Sequence, residues 1–144
     1  MSINSQLILI LSALGAINGF ILALYLWQLK ERKLANRFLA AMLVMVSVRT
    51  FKSVLFYFNP DVSKFILQVG LSSCFLIGPM LYFFTLAYLN KLKADSHGWK
   101  VHLVTLISII IIVGLFYPYS ECRDIWGGVF YRTINYVWLG YLIF

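Results

Sequence analysis

Long apolar runs broken by short polar stretches set the pattern of this chain. Four runs are complete, over residues 7–29, 38–58, 65–89 and 101–119. A fifth begins near Phe130 and extends over 130–144, to the last residue of the sequence. About 20 mostly apolar residues cross a hydrocarbon core of about 30 Å. A segment in lipid must also satisfy its own backbone donors and acceptors, which a helix does and an isolated strand does not. The pattern therefore predicts an all-α fold, a polytopic transmembrane helix bundle with four complete spans and a truncated fifth, forming one membrane domain over residues 1–144.

Composition removes the soluble alternatives. Hydrophobic residues make up 62% of the chain and charged residues 12%, with a mean hydropathy of +0.87. An ordinary soluble domain is about 45–50% apolar and about 25% charged. Twelve per cent of charged residues is too few to cover a surface that faces water, and the hydrophobicity is far too high for a disordered tail. The first run is not a secretory signal: Met1 to Gln6 carry no Lys or Arg, and the run exceeds the usual apolar region of about 7–15 residues.

Charge sets the orientation. Lys and Arg number 12 against 5 Asp and Glu, a net +7. In a soluble chain such an excess points to nucleic acid; in a membrane chain, loop Lys and Arg mark the cytoplasmic side. The loops on one side carry Lys30, Arg32, Lys33, Arg37, Lys91, Lys93 and Lys100, and the other side carries only Lys64, Arg123 and Arg132. The expected location is a bacterial cytoplasmic (inner) membrane, multi-pass, with Met1 outside. Tyr25, Trp27 and Trp99 fall at inner ends, and Tyr57, Tyr117, Tyr119 and Trp126 at outer ends, where amphipathic rings anchor at the headgroups.

Arg49 and Lys52 lie inside the second run. Arg49 stands eleven positions past Phe38, so at about 1.5 Å per residue it lies roughly 16 Å along that run, near the bilayer middle. A charge there costs about 2.5–3.5 kcal/mol on insertion scales. No Asp or Glu falls in any span. Three accounts stay open: the cations snorkel or bond to carbonyls of a broken neighbouring helix, a segment beyond this sequence supplies a carboxylate, or the pair binds a small anionic or carbonyl-bearing ligand.

Gly78-Pro79 lies in the third run. Proline removes a backbone donor and clashes with the preceding turn, so a kink between Leu76 and Pro79 is expected, with Arg49 a candidate donor for the freed carbonyls. The bend reads either as packing or as a hinge. Gly15, Gly19 and Ala23, four residues apart on the first run, suit the close approach of another helix, within the chain or in a homodimer. His97, His102, Cys74 and Cys122 have no metal-ligand or CxxC spacing, so neither a metal site nor a disulfide is expected. No catalytic motif occurs and no cofactor is implied, so the chain does not read as an enzyme.

Several stretches resemble a known family when taken in order: Gly15-Ala16-Ile17-Asn18-Gly19-Phe20, Lys33-Leu34-Ala35-Asn36-Arg37-Phe38-Leu39-Ala40, Arg49 with Lys52 and Tyr57, and Leu76-Ile77-Gly78-Pro79-Met80-Leu81-Tyr82. Together they resemble the N-terminal membrane region of bacterial membrane-anchored AraC-type transcriptional regulators. The resemblance covers essentially the whole chain. It implies a bundle of about seven helices ahead of a cytoplasmic helix-turn-helix domain that binds promoter DNA. That domain is absent from this sequence, so DNA would be a partner only through it. The expected function is signal input to a transcription regulator, by a ligand-biased equilibrium between two packings of the second and third helices. The rival reading is a small transporter or channel subunit in which Arg49 and Lys52 line an anion path. Either reading requires the lipid bilayer as solvent. The chain is expected to stay in the membrane pellet after alkaline carbonate extraction; release as a detergent-free soluble species would refute it.

Overall fold

The computed structural model describes residues 3–31, 33–59, 61–92 and 96–143, with side chains from Gln6 onward. Five α-helices follow one another: α1 (Ile3–Gln28), α2 (Lys33–Phe58), α3 (Lys64–Tyr88), α4 (His97–Phe116) and α5 (Tyr131–Ile143), the last preceded by a π-helical segment, Ile125–Phe130. No strand occurs among the described residues. α1 to α4 are each long and apolar enough to cross a membrane, and the protein is a multi-pass, all-α membrane protein.

The ends of the elements differ from the apolar runs for local reasons. α2 starts at Lys33, not Phe38, because polar residues continue a helix where it meets headgroups; Asn36 Nδ2 bonds the Glu31 carbonyl at 2.6 Å across the turn. α3 closes with Asn90 at φ 56°. The Lys91 amide donates to Leu86 O at 2.9 Å and the Asn90 amide to Ala87 O at 3.2 Å, the paired bonds of a Schellman cap with Asn in the left-handed position. α4 stops at Phe116, two residues before Pro118, which cannot continue it. The last element starts at Ile125, ahead of the expected Phe130, through the π-helical turn.

α3 is the hub: α2, α4 and α5 all pack on it, whereas α1 packs on α2. The α1–α2 seam repeats every seven residues. Leu9, Ala16 and Ala23 are buried on α1 and Ala40, Ser47 and Val54 on α2, with Ser12, Gly19 and Leu26 half-buried between the α1 positions. A seven-residue repeat keeps one stripe facing its partner, and small side chains let the two backbones approach. Gly19 sits directly against Ser47. Gly15, expected to share this contact, does not: a Cβ there would meet nothing within 4 Å. The seam runs through Ala16, Gly19 and Ala23, because its step is three or four residues in alternation.

Two apolar clusters fill the bundle. One joins Cys74, Phe75 and Leu76 of α3 to Trp126, Phe130 and Ile134. The other joins Ala35 and Phe38 of α2 to Met80, Phe83 and Ala87 of α3. Trp126, expected as an outer interface anchor, is instead fully enclosed at 0% exposure; its ring lies tilted, 4.5 Å from that of Phe130, and it donates its indole N–H to Tyr117 O at 2.6 Å. α4 has no buried residue. Gly19→Leu is expected to destabilise the bundle by about 1–3 kcal/mol through overpacking, whereas Gly15→Leu should change stability by less than about 0.5 kcal/mol. Unfolding by SDS titration in mixed micelles compares the two; equal losses would refute the seam assignment.

Candidate functional site

The two intramembrane cations open onto different clefts. Arg49 is exposed and lines a cleft of about 230 Å³ between α1 and α2, with Leu9, Ser12, Thr50, Ser53 and Tyr57. The hydroxyls there donate to their own helices: Ser12 to Ile8 O at 2.8 Å, Thr50 to Val46 O at 3.0 Å and Ser53 to Arg49 O at 3.2 Å. Their protons are committed and their lone pairs remain, so the cleft offers a guanidinium neutral acceptors. Arg49 stands nine residues before the last residue of α2, Phe58, about 14 Å from that end. The apolar run ends at the same Phe58, so this depth is the one read from the sequence.

Lys52 turns the other way, toward α3. A Cβ at Gly70 would lie 2.8 Å from both Cγ and Cδ of Lys52, so the lysine stem occupies the notch that Gly70 leaves. Burying the stem while the ammonium reaches a polar rim is how lysine is tolerated at membrane depth. The rim is a cleft of about 690 Å³ lined by Lys52, Asp61, Lys64, Tyr119, Ser120 and Arg123 among others. Three cations face one carboxylate, and among the described residues none of the four is ion-paired.

This basic mouth adjoins a larger cleft of about 830 Å³ between α3 and α4, which shares Ser63, Lys64, Tyr119 and Ser120 with it. Gln68 fixes its width. The Gln68 amide donates to Gly114 O on α4 at 3.1 Å and accepts the Tyr119 backbone N–H at 3.2 Å. A Cβ at Gly114 would lie 2.5 Å from Gln68 Nε2, so only glycine admits this clamp. Deeper in, Ser72 donates to Gln68 O and Ser73 to Val69 O, each at 2.9 Å. The polar groups of α3 are thus answered within the protein, and the cleft wall is hydrocarbon in character. Sequence reasoning missed Gln68, although Lys64, Gln68 and Ser72 stand four apart in an apolar run, a polar edge at helical spacing.

At Gly78-Pro79 α3 runs on as one helix, and the side-chain donor beside the proline is Trp138 of α5, in place of the expected Arg49. Proline leaves the Phe75 carbonyl without its usual partner, and Trp138 Nε1 bonds the adjacent Cys74 carbonyl at 3.0 Å. A Cβ at Gly78 would lie 2.8 Å from Trp138 Cδ1, so glycine seats the indole, and Pro79 is fully buried. This stretch of α3 is therefore clamped to α5. Toward the other end of α3, Phe38 stacks on Phe83 at 5.6 Å and meets Trp99 edge-on at 5.3 Å, while His102 lies 6.1 Å from the Phe83 ring and 5.9 Å from Tyr141. Trp99, expected at the interface, packs into this cluster with its Nε1 enclosed and unpartnered. Trp27 stays exposed, with the Arg37 guanidinium 5.6 Å over its ring.

No group of three or more His, Cys, Asp or Glu that could hold a metal ion occurs among the described residues, and Cys74 and Cys122 are both free. No known protein family, curated protein or solved structure gives a significant match to this chain. Gln68→Leu is expected to cost about 1–2 kcal/mol, because hydrogen bonds between membrane helices average roughly 0.6 kcal/mol each and reach about 1.7. It should also raise hydrogen exchange at the Tyr119 amide. Unchanged exchange there would show that Gln68 does not hold the end of α4.

Proposed function

We propose that this domain is the membrane-embedded signal input of a helix-turn-helix regulator of the AraC type, set in a bacterial cytoplasmic membrane with Met1 outside. The observation that carries the reading is the position of α3. Its Lys64 end borders the basic mouth and is tied to α4 through Gln68; its middle is tied to α5 through Trp138. Its Phe83 end stacks with Phe38 of α2 near the basic loop before α2. A ligand that changes the spacing at one end would bias the packing at the other. This continuity supports a sensor, and the sequence resemblance supplies the class of output.

The transporter reading draws less support. Arg49 and Lys52 line separate clefts rather than one path, and Ser72 and Ser73 spend their hydroxyls on their own helix. The complete gene product, epitope-tagged and immunoprecipitated from its host, is expected to enrich promoter DNA. In a promoter reporter, Arg49→Leu and Lys52→Leu each test the cations. At least one should change output about five-fold or more, a typical allosteric coupling, with insertion and abundance unchanged. Anion flux in proteoliposomes above the protein-free rate, with no DNA enrichment, would overturn the proposal.

A further inference from the structure

The basic mouth and the α3–α4 cleft adjoin, with Ser63, Lys64, Tyr119 and Ser120 lining both, so together they offer a charged end and an apolar groove. At the mouth, Lys52, Lys64 and Arg123 outnumber Asp61, and among the described residues none of them is ion-paired. Such a cluster favours an anion, and its position at the end of α2 and the start of α3 puts it at headgroup level. Below it, Val69, Leu76, Ile107, Ile111 and Leu115 give the walls. From Lys64 to Leu76 the cleft follows twelve residues of α3, about 18 Å at 1.5 Å per residue. That is close to the depth of one leaflet, half of a core of about 30 Å. A volume of about 830 Å³ falls among ligand pockets of roughly 300–1,000 Å³.

The chemistry inside discriminates between occupants. A polar permeant needs open donors and acceptors along its route. Here the Gln68 amide is engaged at both ends, and both serines bond back to α3. What remains toward the cleft is mostly methyl and methylene surface, with the lone pairs of Ser72 and Ser73 but no free proton on either, which suits an alkyl chain. One groove between two helices accepts one chain, and the charge at its mouth selects a negative head.

We propose that this cavity binds a single-chain anionic amphiphile, a long-chain carboxylate, with its head at Lys52, Lys64 and Arg123 and its tail between α3 and α4. This names the ligand class for the signal input proposed above and rests on that reading only for its consequence in the cell. Binding can be tested on this chain in nanodiscs of zwitterionic phosphatidylcholine. The probe is a palmitate carrying a diazirine near its methyl end, with labelled peptides mapped by mass spectrometry. Label is expected on residues 65–76 and 104–115, competed by oleate and not by oleyl alcohol or butyrate. The double variant Lys64→Gln, Arg123→Gln should weaken labelling about ten-fold or more, equivalent to about 1.4 kcal/mol. Ile111→Trp, which fills the cleft from an exposed position and leaves the helix intact, should abolish it.

Three outcomes would overturn the proposal: label spread along the lipid faces of α1 and α4 without competition, equal competition by oleyl alcohol, or equal competition by butyrate. Replacing part of the phosphatidylcholine with phosphatidylglycerol distinguishes the source: suppression of labelling would assign the cavity to resident anionic lipid and overturn a single-chain ligand. Saturable labelling without any response to oleate in the promoter reporter would uphold the binding site and sink the sensor reading, so the two failures are separable.

Discussion

Lipid offers no hydrogen bonds, and that one constraint organises this protein. Helices answer their own backbones, and Ser12, Thr50, Ser53, Ser72, Ser73, Thr85, Thr105 and Thr133 each turn a hydroxyl onto the carbonyl four residues back. The side chains with reach to spare, Gln68, Trp126 and Trp138, close the places where a regular helix ends or is interrupted. Each of the three binds a main-chain carbonyl that the local backbone leaves open or shared. The tertiary polar contacts of the bundle are therefore backbone repairs, and the repairs double as ties between helices.

Close approach is the complementary device. With hydrocarbon on both sides of an interface, helix association gains little from apolar burial and depends on packing. Ala16, Gly19 and Ala23 let α1 lie against Ser47 and its neighbours on α2, and Gly70 admits the Lys52 stem as Gly78 admits Trp138. In both of the latter cases a glycine on α3 receives a long side chain from another helix. The smallest residues of α3 thus set where the largest side chains of its neighbours rest.

The helical class and the number of long spans were legible because apolar runs of membrane length have few other outcomes. The seam between α1 and α2 was half legible: Gly19 and Ala23 stand out by size, but counting in fours selected Gly15, whereas a supercoiled pair repeats in sevens and selects Ala16. Arg49 and Lys52 were conspicuous by charge, yet three residues along a helix turn them by about 60°, and the neighbours on either side of α2 draw them into different clefts. Trp99 and Trp126 looked like interface anchors because composition cannot distinguish a ring at the boundary from one folded inward by a turn. Gln68 was silent for a related reason: one amide in an apolar run acquires meaning only when Gly114, 46 residues later, is placed against it.

α4 brings a mechanical consequence. At its far end Gln68 grips Gly114, and at its near end Trp99 rests edge-on against Phe38. Between these supports lie fourteen residues, the supports standing about 22 Å apart along the helix, with no side chain fully buried in the protein. It is a beam fixed at both ends and lightly loaded in between, by His102 against Phe83 and Tyr141 and by the half-buried Leu106, Ile110 and Val113. Pressure under its midpoint would bow it, and the deflection would be returned as torque on Gln68 and Trp99.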